Sequence, residues 1–224
     1  MLLKDVLDSL RYGELSLLSI GGELQGKITK NNFTAVATHI NSGLTNLYTR
    51  FKLKVVSTEL ALTPAKYEYK LTYPDLLKVI RVYGNTGYEF TLNDLHDEYS
   101  IHTPTAKALT VPASVINLAD NLPNDLKINE LKIVYQAKHP WIDTASTNIL
   151  DEEELELELP EAYLDALSYF VASRMTNPLD VAGQFHSGNN YAAKYEQACN
   201  RLELSNMSID SGAQSNRFQS KGWV

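Results

Sequence analysis

The chain has 224 residues, 44% hydrophobic and 21% charged, which is enough apolar content for a packed core in one domain or two small ones. A net charge of −7 and a pI near 5.2 argue against a protein that grips nucleic-acid phosphates, which takes clustered Lys and Arg, but leave open a surface along which DNA slides. No run approaches the ~18 apolar residues of a membrane span, Lys4, Asp5 and Asp8 interrupt the N-terminus where a signal peptide stays apolar, and one cysteine, Cys199, allows no internal disulfide; the expected origin is cytoplasmic.

Leu3, Val6, Leu7 and Leu10 recur at helical spacing and predict a helix over 2–10, broken at Gly13, with Gly21-Gly22 and Gly26 in a following loop. The strongest helical pattern runs from about Thr29 to Lys52, with Phe33, Val36, Ala37, Ile40, Leu44, Leu47, Tyr48 and Phe51 on one face and Asn31 and Asn32 placed to cap its start. Gly43, costly inside a helix by about 1 kcal/mol, marks a close helix crossing. From Leu53 the period changes to two. Leu53, Val55 and Ser57 are expected on one face, then Tyr67, Tyr69, Leu71 and Tyr73 on another strand. The run LLKVIRVY (76–83), the turn Gly84-Asn85-Thr86-Gly87 and the return through Tyr88, Phe90 and Leu92 form a hairpin signal. Further strands are expected at 99–102, 108–111 and 131–137, with a loop between the last two. A polar connector over 143–154 ends in Asp151-Glu152-Glu153-Glu154. Leu155, Leu157 and Leu159 then alternate with Glu154, Glu156 and Glu158, predicting a strand with leucines inward and glutamates outward. Pro160 opens a helix over 161–175 striped by Leu164, Leu167, Val171 and Met175, and Asn177-Pro178 ends it. A last helix over 189–204 carries Tyr191, Ala192, Tyr195, Ala198, Cys199 and Leu202 on one face, and residues 206–224 read as a flexible arm.

The pattern predicts an α+β fold: an α-helical bundle formed by both ends of the chain (1–52 and 155–205), an inserted antiparallel β-sandwich or barrel-like domain with its acidic connector (53–154), and a flexible C-terminal tail (206–224). Chemistry is hard to place on it. None of the five histidines has zinc spacing. The nearest approach to a metal cluster, His96 and His102 with Asp94, Asp97 and Glu98, reads as a solvated loop. There is no nucleophile elbow, phosphate loop or dinucleotide fingerprint. The glutamates of 154–158 share one face instead of facing each other across a cleft, as a glycosidase needs. No catalytic residue, metal site or cofactor is therefore expected. The acidic run could be a solvated face, a lumen lining or a docking strip for a basic partner. Thirteen tyrosines, many of them in the β block, suit sheet packing and subunit contacts or a carbohydrate platform. Phe218, Trp223 and Val224 end a polar arm and suit docking into a partner's groove.

The ordered series LTNLYTRFKLK, LLKVIRVYG, LKIVYQAKHPWI, LELPEAYLDALSYFVASRM and YAAKYEQACNRLE resembles the head-to-tail adaptor (connector) proteins of podovirus-type bacteriophages, over residues 1–205. Its most specific part is the L-x-L-P-E start at Leu157 and the helix after it. The resemblance implies a non-enzymatic virion protein at the head-tail junction. Such proteins form a dodecameric ring beneath the portal, extend a channel through which DNA passes without specific binding, and dock a nozzle-type tail protein. They are often monomeric until they meet the portal. It further implies portal binding by Phe218, Trp223 and Val224, and a channel or docking face at Glu154, Glu156 and Glu158. The alternative is a carbohydrate- or protein-binding module of a phage tail, with the tyrosine-rich sheet as its platform.

Overall fold

The fold, a computed structural model, describes residues 1–16, 27–116, 128–143, 155–176 and 184–205. It mixes helices with antiparallel sheets, an α+β arrangement. It divides into two compact units, Lys52–Lys138 and the two chain segments on either side of it, Met1–Phe51 and His139–Val224.

The first unit is helical. Helix α1 (Leu3–Ser9) continues as a π-helical turn (Leu10–Glu14), closed by the Leu15 N–H on the Leu10 carbonyl at 2.9 Å. Gly13 was expected to break this helix. It is the one residue in the turn off helical dihedrals, and the chain runs on to Glu14. Helix α2 (Lys30–Arg50) starts at Thr29, whose N–H is accepted by the Asn32 side chain at 2.7 Å. A short 3₁₀ turn (Glu161–Tyr163) leads into α3 (Leu164–Thr176), and α4 (Gln184–Leu204) follows. The apolar stripe expected on α3 is broader in the structure. Ala166, Leu167, Phe170, Val171 and Ala172 are all buried, and so are Ser168, Ser173 and Thr176, so α3 is the central helix of the unit, touching α1, α2 and α4. Its buried hydroxyls are satisfied locally. Ser173 donates to the Phe170 carbonyl at 2.7 Å, Thr176 to the Ala172 carbonyl at 2.8 Å, and the Ser168 and Ser9 hydroxyls lie 3.1 Å apart. Gly43 lets α2 approach α3: a Cβ there would stand 2.7 Å from Leu167 Cδ1 and 3.0 Å from Phe170 Cδ1. At the end of α2, Arg50 meets Glu196 (2.6 Å), Glu203 (2.7 Å) and Asn200 (3.0 Å) on α4.

Among its described residues the second unit holds seven strands: β1 (Val55–Ala61), β2 (Glu68–Lys70), β3 (Leu76–Gly84), β4 (Glu89–Phe90), β5 (His102–Thr105), β6 (Ala108–Thr110) and β7 (Glu130–Ala137). They make one antiparallel sheet ordered β1-β7-β3-β4 and another ordered β2-β6-β5. Both contribute to a single core, with Val79, Val82, Ile133 and Tyr135 from the first and Tyr69 and Leu109 from the second. The face expected for Leu131, Ile133, Tyr135 and Ala137 is the buried one. The first strand corrects the reading in phase. Its core side is Val56, Thr58 and Leu60, opposite Tyr135, Ile133 and Leu131, while Val55 and Ser57 point away. A one-residue change of phase exchanges the two faces of a strand, and the run Val55-Val56 supports either phase.

The strand expected at Leu155–Leu159 is instead a segment with one bridge, Glu156 to Leu2, that bends at Glu158 and Leu159. It is bonded to the chain's first residues: Leu3 N–H donates to the Leu155 carbonyl and Leu157 N–H to the Met1 carbonyl, each at 2.8 Å. Leu157 and Leu159 are buried and Glu156 and Glu158 exposed, so the alternation holds without a sheet.

Candidate functional site

Three sets of residues can be weighed as sites: the acidic segment before α3, the polar loop of the insert, and the exposed aromatic and apolar side chains.

Glu156 and Glu158 are both exposed, on a segment that turns at Glu158, where the Leu159 N–H donates to the Leu157 carbonyl at 2.7 Å. Their segment is pinned from beneath. The Glu158 N–H donates to His139 Nε2 at 3.1 Å, which leaves the imidazole proton on Nδ1, and the Tyr48 hydroxyl donates to the Glu158 carbonyl. Tyr48 is fully buried and packs edge-on against His139 at 5.6 Å. Burial, with Glu158 close by, pushes its phenol well above the ordinary tyrosine range. The two carboxylates thus ride on a fixed rail. Glu154, the third member of the expected face, lies outside the described residues, as do Phe218, Trp223 and Val224.

The loop between β4 and β5 carries the histidine-carboxylate cluster. Its acids are spent on the backbone and on hydroxyls: Asp94 accepts from the His96 N–H at 2.9 Å, and Asp97 from the Tyr99 N–H at 2.9 Å and the Thr91 hydroxyl at 2.6 Å. Those bonds hold the Asp97 carboxyl below its usual range. No group of three or more metal-ligating side chains occurs among the described residues. The loop is a self-bonded scaffold that presents Leu95, 88% exposed, at the surface.

The tyrosines do not assemble a platform. Tyr69 is in the core, Tyr73 stacks on buried Tyr135 at 5.6 Å, and Tyr67 and Tyr88 are exposed on different strand ends. Tyr83 alone lines the groove of ≈ 610 Å³ on the outer face of the four-stranded sheet, with Glu59, Glu130, Lys132 and Val134. Sequence reasoning did not single out Trp141, which is 61% exposed, or Tyr12, 82% exposed on the π-helical turn. The signal for Trp141 was its place between His139 and Ile142, both buried, in an extended segment.

What these surfaces share, among the described residues, is exposed side chains on backbone held by local hydrogen bonds. The sequence model of the SU10 adaptor protein family matches residues 11–218. The chain belongs to that family. The adaptor is therefore a structural protein of a bacteriophage, a virion component that contacts other virion proteins such as portal and tail. No curated protein matches it. No helix among the adaptor's described residues is long and apolar enough to cross a membrane.

Proposed function

We propose that this adaptor joins head to tail in a podovirus-type phage: twelve copies form a ring beneath the portal, extend the DNA channel and dock a nozzle-type tail protein. The family match over residues 11–218 carries the reading. The helical unit is assigned to the ring as a helical bundle, and the insert, with its two sheets as a sandwich, faces outward or toward the tail. Phe218, Trp223 and Val224 anchor the arm in the portal, since terminal aromatics on a polar arm gain most by filling a partner's pockets. Glu154, Glu156 and Glu158 line the channel or a docking face. The exposure of Glu156 and Glu158 and the net charge of −7 support this, because like charge keeps passing DNA from sticking.

The test mixes the purified chain, full length or ending at Ser205, with portal rings of the same phage and images the products by electron microscopy. A ring added by the full-length chain alone supports both the adaptor role and the arm as anchor. A ring with both versions keeps the role and removes the anchor. No ring with either overturns the reading in favour of a binding module of the tail.

A further inference from the structure

The outer edges of the two sheets differ in kind. β4 has two residues and β2 three, too short to template another strand, and β5 carries Pro104 and a break in register. β1 has seven residues in unbroken register with β7 and neither Pro nor Lys. Sheet edges are normally blunted by such devices, and among the described edges β1 is the least protected, with one charge, Glu59.

Pairing with β7 fixes which backbone groups of β1 are free. Beyond the two ends of the strand, the Lys54 carbonyl accepts the Ala137 N–H at 3.0 Å and the Leu62 N–H donates to the Asn129 carbonyl at 2.9 Å, both in the register of Val56–Tyr135 and Thr58–Ile133. In an antiparallel ladder such bonds recur at every second residue. The N–H and C=O groups of Val55, Ser57, Glu59 and Ala61 therefore point out of the sheet edge, and all four residues are exposed.

The segment Val55–Ala61 is also symmetric in character about Thr58: Val55 and Val56 on one side mirror the apolar Ala61 and Leu60 on the other, and Ser57 mirrors the polar Glu59. We propose that two copies of this chain pair through β1, antiparallel about a two-fold axis at Thr58, and so join their four-stranded sheets into one. In that register Val56 meets Leu60 of the second copy on the core side, where both are only partly buried against the core. On the outer side Val55 meets Ala61 and Ser57 meets Glu59. A shift of one residue aligns outward groups with inward ones and forms no ladder. A two-residue shift of the pairing one way sets Glu59 against Glu59, and the other way sets Val56 against Thr58, so one register is favoured. Neighbours around a ring of more than two subunits contact through unlike surfaces, so this two-fold pair is a state of the free protein, in place of the monomer the resemblance implies. It shields an edge that would otherwise recruit strands indiscriminately.

Sedimentation velocity of the full-length chain over a concentration series at low salt tests this, with Ser57→Glu and Ser57→Lys alongside. Ser57 is exposed, so both variants fold. Ser57→Glu sets two carboxylates face to face and Ser57→Lys sets an ion pair, each repeated by the two-fold, so Kd should rise in the first and fall in the second by roughly 2- to 30-fold. Oxidised Thr58→Cys should give a covalent dimer, while the wild type, its Cys199 buried, gives none. A chain monomeric throughout the series, charge variants that do not move Kd in opposite directions, or no cross-link at position 58 would each overturn the pairing.

Discussion

Asn41 carries the sharpest stability prediction. It lies in the middle of α2, 3% exposed, and its side chain makes both hydrogen bonds of the Ile142 peptide. Its amide donates to the Ile142 carbonyl at 3.0 Å and its oxygen accepts the Ile142 N–H at 3.0 Å. Ile142 is itself 3% exposed, so water cannot replace either bond. Asn41→Leu keeps the approximate volume and strands one buried donor and one buried acceptor. At ~1–3 kcal/mol for each unsatisfied group, the cost is about 2–6 kcal/mol, a large part of the ~5–15 kcal/mol that holds a typical domain together. Urea unfolding followed by circular dichroism at 222 nm reads this unit, because α1 to α4 all belong to it, and exchange of the Ile142 amide reports the bond itself. Asn41→Asp adds a sign. Ionised, it can accept from Ile142 but turns a second carboxylate oxygen toward the Ile142 carbonyl. Protonated, it restores both bonds. Its folded pKa is therefore raised above the unfolded value of about 3.9, so its stability is complete below that value and is lost as pH rises through the folded pKa. A destabilisation of Asn41→Leu below ~1 kcal/mol, or an Asn41→Asp variant no more stable in acid relative to wild type, would refute the reasoning.

Gly43→Ala gains about 1 kcal/mol of helix propensity and meets Leu167 and Phe170, an overpacking cost of about 1–3 kcal/mol, so thermal unfolding should show it neutral to ~2 kcal/mol destabilised, with Gly43→Val clearly worse. His39 has its pKa lowered, first by burial and then by Arg174. The unfolded chain then binds the proton more readily, so stability contributed by the neutral ring is complete above pH ~6.5 and is lost as pH falls through the lower folded value; His39→Gln should flatten that part of a stability profile between pH ~7 and ~5. Burial also pushes the Cys199 thiol up, so a thiol reagent should leave the native chain unmodified and label it once denatured.

Periodicity served best where one physical cause dominates. The face of α2, the core face of β7 and the turn after β3 followed from apolar spacing and glycine, and Gly43 was readable as a crossing because nothing else explains a helix-weakening residue there. The phase of β1 was not readable, because consecutive valines satisfy both faces and only the pairing with β7 decides. The bridge of Leu155–Leu159 to the first residues joins segments more than 150 positions apart and leaves no local trace. Of the acidic site, the outward glutamates followed from alternation, whereas the rail beneath them, Tyr48 and His139, depends on tertiary contact. The exposed Trp141 sat in a stretch whose apolar letters suggested burial.

The insert begins and ends at one place. The Ala137 N–H on the Lys54 carbonyl ties its two ends together at 3.0 Å. While the insert is unfolded, the helical unit must close a loop of about 87 residues to bring α2 to the returning chain. Once the insert has folded, the slack is about four residues, and by the logarithmic dependence of closure entropy the helical unit then assembles with roughly 2.5–3 kcal/mol less entropy to lose. The insert is one contiguous stretch of chain with a core of its own, so its folding shortens the connection between the two halves of the helical unit. The insert thus works as a clasp in the order of folding.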